Sequence, residues 1–301
     1  MIKKAIVIPY FGEWPKWFDL YLYSLGNNPS FDVLFFTDIP TNDLLFVPPN
    51  AKFINISFKD YCQRASEKLS ITFNPSNPYK LCDLKPFYPI IHQEELKEYD
   101  YIGWGDIDLI YGNLNKFFPD SRICKYKIIS THSHIFSGHF TLIRNIPSIY
   151  ECFINMPNWK NLLSDTKNHV MDEIGLSYYL TPKLKYIRHI YDKSGGFNGE
   201  FKQWAVHLMQ ISAKLLYPKY LFREMWTTTK PDNKSFFTYE NGAVTNNRGM
   251  ELPYVHFYFF KNPNYKTLRT NYWRNNFYQL DSYDISDNTK IMIDREGVRV
   301  V

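Results

Sequence analysis

The residues best suited to chemistry are Asp106 and Asp108, separated by Ile107 and placed directly after the apolar run Tyr99-Asp100-Tyr101-Ile102-Gly103-Trp104. Two carboxylates at i and i+2 at a strand end share a face, so both can reach one cation while the apolar residue between them turns to the core. Carboxylate oxygens are hard ligands suited to Mg²⁺ or Mn²⁺. A divalent cation in that place offsets the negative charge that gathers on a departing diphosphate. Gly105, just before the pair, permits close backbone approach. The spacing alone recurs by chance, and a solvated turn with two aspartates is the ordinary alternative. The preceding strand and the following Leu109-Ile110-Tyr111-Gly112-Asn113-Leu114 favour the metal reading.

The elements that must hold this pair follow from the apolar pattern. Ala5-Ile6-Val7-Ile8, ending at Pro9, reads as a buried parallel strand. Trp14 to Leu25 has helical spacing and stops at Gly26, and Asp32 to Phe36 is a second strand ending in Thr37-Asp38. Phe53 to Ile56 is a third strand, and Tyr79 to Glu98 is helical, complicated by Pro86 and Pro89. Lys127 to Ser130 and His139 to Ile143 read as strands, and Asp172 to Leu180 as helix. Hairpins are expected over Ser235 to Thr245, around Asn241-Gly242, and over Ile291 to Val300, around Glu296-Gly297. Strand, helix, strand from the first residues predicts an α/β fold: an open mixed sheet, mainly parallel, flanked by helices, with C-terminal hairpins. Ligands bind at the carboxyl ends of such strands, where Asp38 and the Asp106/Asp108 pair both fall.

The bulk properties set limits. A chain of 301 residues, 45% hydrophobic and 22% charged, suits one large domain. The net charge of +5 is mild and scattered, which fits an anionic small substrate or lipid surface and not the basic stripe of a nucleic-acid binder. Aromatic residues make up 18% of the chain; they serve a core, and their faces also pack on sugar rings. Cys62, Cys82, Cys124 and Cys152 form no CxxC pair and read as reduced thiols of a cytoplasmic protein. No apolar run reaches membrane length, so no span is expected, and the short N-terminal apolar run reads as a first strand rather than a signal sequence. The stretch Asn262 to Tyr278 is aromatic and basic enough for peripheral contact at the inner face of a membrane, with ordinary packing the plainer reading. Oligomeric state is not legible in the sequence.

The stretch Tyr99 to Leu114, YDYIGWGDIDLIYGNL, resembles the metal-binding strand of GT-A-fold glycosyltransferases, in particular the glycogenin and lipopolysaccharide-galactosyltransferase family. A relationship to transferases of bacterial capsule and lipopolysaccharide clusters is also suggested. The resemblance implies a single GT-A-like domain over 1–301, with a nucleotide-sugar-binding half (1–120), an acceptor-binding half (121–265) and a C-terminal extension (266–301). It implies Asp106 and Asp108 as ligands of Mn²⁺ or Mg²⁺, joined by His256. Pro9, Tyr10 and Phe11 would line the nucleoside site, and Asp38 would accept a hydrogen bond from base or ribose. Lys80, Asp83 and Lys85, in KLCDLKP, would contact the donor, a lysine there neutralising phosphate as a point charge. Lys261 follows His256 in HFYFFKNP as the diphosphate contact; the family pattern carries a Gly between them and one more residue, and this sequence has neither. Gly138 and His139 resemble the small-residue turn at the donor sugar. Asp172 or Glu173 would take the acceptor hydroxyl's proton. The implied reaction moves a sugar from a nucleotide diphosphate-sugar, UDP-sugars favoured, to a saccharide or lipid-linked acceptor.

Other readings compete. A nucleotidyltransferase would need Gly-Gly or Gly-Ser about ten residues upstream of the acidic pair, where Gln93-Glu94-Glu95-Leu96 stands. A zinc hydrolase could use His132, His134 and His139. A non-catalytic carbohydrate-binding protein on a degenerate transferase fold is the third, since fold does not imply activity. Each polar candidate also has a plain structural role: a solvated helix face for the lysines, a packed core residue for His256, a helix cap for Asp172.

Overall fold

The computed structural model describes residues 1–193, 200–230, 234–261, 289–294 and 297–301. Its centre is a seven-stranded sheet. The strands in chain order are β1 (Lys4–Pro9), β2 (Phe31–Thr37), β3 (Ala51–Asn55), β4 (Tyr101–Gly105), β5 (Leu109–Tyr111), β6 (Ile128–Ser130), β7 (Phe140–Arg144) and β8 (Tyr220–Phe222). After them come β9 (Phe236–Glu240), β10 (Ala243–Asn246), β11 (Glu251–Leu252), β12 (Tyr254–His256), β13 (Ile291–Asp294) and β14 (Gly297–Val300). The main sheet runs β3-β2-β1-β4-β7-β6-β8, and only β7 is antiparallel to its neighbours. The expected mixed, mainly parallel sheet is therefore present, and strands from both sides of residue 120 share it.

Burial explains why β1 reads as a continuous apolar run. Ala5 and Val7 face one core layer and Ile6 and Ile8 the other, because side chains alternate across the sheet and helices cover both faces. Gly105 ends β4 beside its parallel neighbour β1: a Cβ there would lie 3.1 Å from Ile6 Cγ2. A five-stranded antiparallel sheet, β11-β10-β9-β13-β14, packs over a third core layer. Both hairpins are formed, with Asn241 and Gly242 at positive φ in the first turn. Residues 295–296 of the second turn lie outside the described residues. β13 pairs with β9, so the last described strands belong to the same sheet as 236–252.

Several expectations need correction. The first helix covers Phe18–Gly26 only. Tyr79 to Glu98 is not one helix: it is a 3₁₀ helix, Pro78–Phe87, followed by short α turns at Tyr88–Ile91 and Gln93–Leu96. Pro86 and Pro89 lack the N–H that an α-helix would need there. Helices at Phe58–Leu69, Lys185–Lys193 and Glu200–Leu216 were not expected. The first has a readable start, since Ser57 accepts from Asp60 N at 3.1 Å, and it buries Tyr61, Cys62, Ala65 and Leu69 at helical spacing. Among the described residues no helix is long and apolar enough to cross a membrane.

Candidate active site

Asp106, Ile107 and Asp108 occupy the bend between β4 and β5 rather than a strand. Ile107 is buried in the core, and Asp106 and Asp108 lie on the wall of one cavity of about 640 Å³. The third member arrives from far along the chain. β12 pairs antiparallel with β5, setting His256 opposite Leu109, and Phe257 N donates to Asp108 O at 3.2 Å. That ladder brings His256 Nε2 to 3.4 Å from Asp108 Oδ2. One ligand atom from each of Asp106, Asp108 and His256 lies within 4.8 Å of the others.

These residues fit a divalent cation. His256 Nε2 is buried and, among the described residues, has no hydrogen-bond partner, an expense that a bound ion would remove. Its Nδ1 lies 3.3 Å from Thr228 Oγ1, which can accept the Nδ1–H and leave the Nε2 lone pair for a metal. Two carboxylates and one imidazole suit Mn²⁺, and Mg²⁺ less well, because an imidazole is a softer ligand.

Lys85 is the second focus. Its Nζ is buried and lies 2.8 Å from Asp106 Oδ1, 2.8 Å from Gly138 O and 3.1 Å from Asp172 Oδ2. Burial works against its charge, but Asp106 and the other anionic neighbours more than offset this and hold its pKa well above the ordinary lysine value. Asp172 is also buried, and burial, opposed by Lys85, pushes its carboxyl up to about 7. Asp172 and Glu173 sit on a π-helical turn, Met171–Gly175, entered through Val170 in the left-handed region (φ 52°). Both features are uncommon, and both concentrate at functional sites. Gly138 joins the acidic turn to Lys85: its N–H donates to Glu173 Oε1 at 2.9 Å while its carbonyl accepts from Lys85. A Cβ at Gly138 would lie 2.7 Å from Asp172 Oδ2 and 2.8 Å from Glu173 Oε1, so any larger residue there would push the two carboxyl groups aside.

The other expected residues divide between cavity and scaffold. Pro9, Tyr10, Phe11, Gly138 and His139 line the cavity. His139 stacks on His256, with ring centroids 4.1 Å apart, and burial followed by the neighbouring imidazole keeps its pKa well below the usual histidine value. Asp38 is not among the cavity's lining residues; it is exposed, and its carboxylate accepts from Phe58 N at 3.4 Å. Lys80 and Asp83 need correction. They form a buried pair at 3.0 Å away from the cavity wall. Lys80 donates to Leu162 O, and Asp83 accepts from His169 N and Met171 N, so the pair props the acidic turn from behind. The cause is the three-residue period of a 3₁₀ helix: Tyr79, Cys82 and Lys85 share the cavity face, and Lys80 and Asp83 share another. Lys261 ends the short helix Tyr258–Lys261, and its side chain lies outside the described residues, as does the stretch 262–278.

Sequence reasoning missed Tyr79, Asn168, Thr228 and Tyr258, all on the cavity wall. Tyr79 and Tyr258 are exposed aromatic faces at its rim. Cys82 also lines it, but burial pushes its thiol up to about 12, which makes it a poor nucleophile. His132, His134 and His139 do not assemble a metal site. His134 packs at a tilt against Tyr191, and among the described residues the group whose ligand atoms lie close enough to hold a cation is Asp106, Asp108 and His256.

Several solved glycosyltransferases are similar to the chain, each at low identity and low TM-score. GlyE of Streptococcus pneumoniae TIGR4 shares 12% identity at a TM-score of 0.33, over 74% of this chain and 46% of that one. This chain thus spans less than half of the GlyE chain. Mouse xyloside xylosyltransferase 1, in its apo form, shares 12% at 0.35, over 76% and 88% of the two chains. The galactosyltransferase LgtC, solved with donor and acceptor sugar analogues, shares 13% at 0.35, over 57% and 70%. No curated protein matches the sequence. Residues 6–289 match the model of DUF6625, described as a family of unknown function, and the chain belongs to that family.

Proposed function

We propose that this chain is a metal-dependent glycosyltransferase, moving a sugar from a nucleotide diphosphate-sugar to a saccharide or lipid-linked acceptor. UDP-sugars are the favoured donors, and bacterial surface polysaccharide synthesis is the favoured setting. The observation that carries the reading is the joining of Asp106, Asp108 and His256, whose Nε2 has no hydrogen-bond partner among the described residues, on the wall of a cavity that also holds Lys85 and Asp172. Mn²⁺ or Mg²⁺ held there would supply positive charge to a leaving diphosphate. Lys85 adds a fixed cation beside it, already oriented by Gly138 O and two carboxylates, so little reorganisation is needed when charge develops.

Asp172 is the better base of the acidic pair. A carboxyl near 7 is matched to taking a hydroxyl proton at neutral pH, whereas Glu173 is tied to the Gly138 N–H. Tyr10, Tyr79 and Tyr258 offer ring faces for a nucleobase or a sugar.

The test is hydrolysis of a panel of nucleotide-sugars with Mn²⁺ or Mg²⁺, run beside Asp108→Ala. Turnover that needs metal and vanishes in the variant supports the reading; turnover untouched by the substitution refutes the metal assignment. Calorimetry with UDP, with and without Mn²⁺, separates this from a non-catalytic carbohydrate-binding protein, for which UDP binding would be absent or indifferent to the metal.

A further inference from the structure

The helix Glu200–Leu216 carries two apolar faces. Ala205, Val206, Met209 and Ala213 are buried against the body of the molecule, as a surface helix requires. A second row, Phe201, Trp204, Leu208, Ile211 and Leu215, recurs at steps of three and four and stays largely in solvent. Trp204 is 53% and Leu215 75% exposed. The rings of Phe201 and Trp204 pack on each other at 5.6 Å. The adjoining helix Lys185–Lys193 adds exposed Tyr186 and Ile190, one turn apart. Large apolar side chains at regular spacing on a solvent face mark an interaction surface.

The surrounding charge selects the partner. Lys183, Lys185, Lys193, Lys202, Lys214 and Lys219 border these two helices, against Asp192 and Glu200 among the described residues. Steps of three and four would also suit a coiled-coil seam between two copies. Such a seam needs opposite charges at the flanking positions. Here those positions hold Glu200, Ala205, His207, Ser212 and Lys214, so one acid and one lysine stand at opposite ends of the row and the three positions between them carry no carboxylate or lysine. Aromatic and aliphatic side chains in a row, bordered by lysines, match instead a helix lying in the headgroup region of an anionic bilayer. We propose that the face formed by Lys185–Lys193 and Glu200–Leu216 docks the protein on an anionic lipid surface.

The full chain should co-sediment with vesicles of phosphatidylcholine mixed with phosphatidylglycerol, far less with phosphatidylcholine alone, and should be released by salt. In Trp204→Glu/Leu215→Glu, binding should fall about tenfold or more with the thermal transition unchanged. Lys185→Glu/Lys214→Glu alters only exposed polar side chains and reads the charge dependence should the first variant fold poorly; it too should bind less. Equal binding to both vesicle types, or variants that bind as well as the parent, would overturn the proposal. So would light scattering that shows a dimer split by Trp204→Glu/Leu215→Glu, which would assign the row to self-association.

Discussion

His256 Nε2 stands 3.4 Å from Asp108 Oδ2, held there by a three-residue ladder between β12 and β5 and by Thr228 on its far nitrogen. Substituting either ligand should weaken Mn²⁺ binding by at least roughly 100-fold, and Thr228→Val, which leaves the ligands intact, by about tenfold. Titration of Mn²⁺ followed by electron paramagnetic resonance checks the order. Equal losses for Thr228→Val and Asp108→Ala would contradict the assignment of ligands.

Lys85 is the shared counter-ion of half-buried Asp106 and buried Asp172, so Lys85→Ala strands the Asp172 carboxylate in a buried place. The cost should be about 3 kcal/mol at pH 8. It should shrink at pH 5. The folded pKa of Asp172 lies above its unfolded value, so the folded state binds the extra proton. Lys85 holds that pKa down, so its removal raises it further; Asp172's share of the penalty is absent where the group stays protonated and grows as pH rises through and beyond about 7. Mn²⁺ should stabilise the variant more than the parent, because it restores positive charge beside Asp106. Thermal unfolding at both pH values, with and without the metal, measures all three effects.

Gly138→Ala places a methyl group against Asp172 Oδ2 and Glu173 Oε1. Overpacking of this kind should cost about 1–3 kcal/mol. Its effect on turnover should fall on kcat, with Mn²⁺ affinity little changed, since Asp106, Asp108 and His256 are not the atoms displaced. A variant whose metal affinity collapses together with kcat would count against that separation.

His92 is buried without exposure, and Tyr61 Oη lies 2.9 Å from its Nε2. Burial, with Arg64 adding to it, drives its pKa well below 6.5. The unfolded chain therefore takes up a proton that the folded chain refuses. Stability should be full above about pH 6.5 and fall as the solution is acidified below it, by up to about 1.4 kcal/mol per pH unit from this residue. His92→Gln keeps a polar partner for Tyr61 and does not titrate. Denaturant unfolding between pH 6.5 and 5 should show a shallower slope in that variant.

The parts legible in the sequence were those with a strict local period. β1, β2, β4 and the Asn241-Gly242 hairpin follow from apolar runs and turn residues, and Asp106 with Asp108 follows from position after a strand. Lys80 and Lys85 could not be told apart without knowing that Pro78–Phe87 winds with three residues per turn, a difference that turns one lysine into scaffold and leaves the other on the cavity wall. Tyr79 and Tyr258 were missed because an exposed tyrosine in an aromatic-rich chain carries no local signal. Thr228 was missed because its only mark is a bridge to His256, made far from it in sequence.

The β5–β12 ladder also sets an order of events in synthesis. A ribosome that has delivered the first two hundred residues has made both aspartates, Lys85 and the acidic turn, but not the imidazole that completes their company. A nascent or prematurely ended chain therefore holds an unfinished pocket with feeble hold on a cation. On the reading proposed above, precious activated sugar is safe from it until β12 has zipped onto β5.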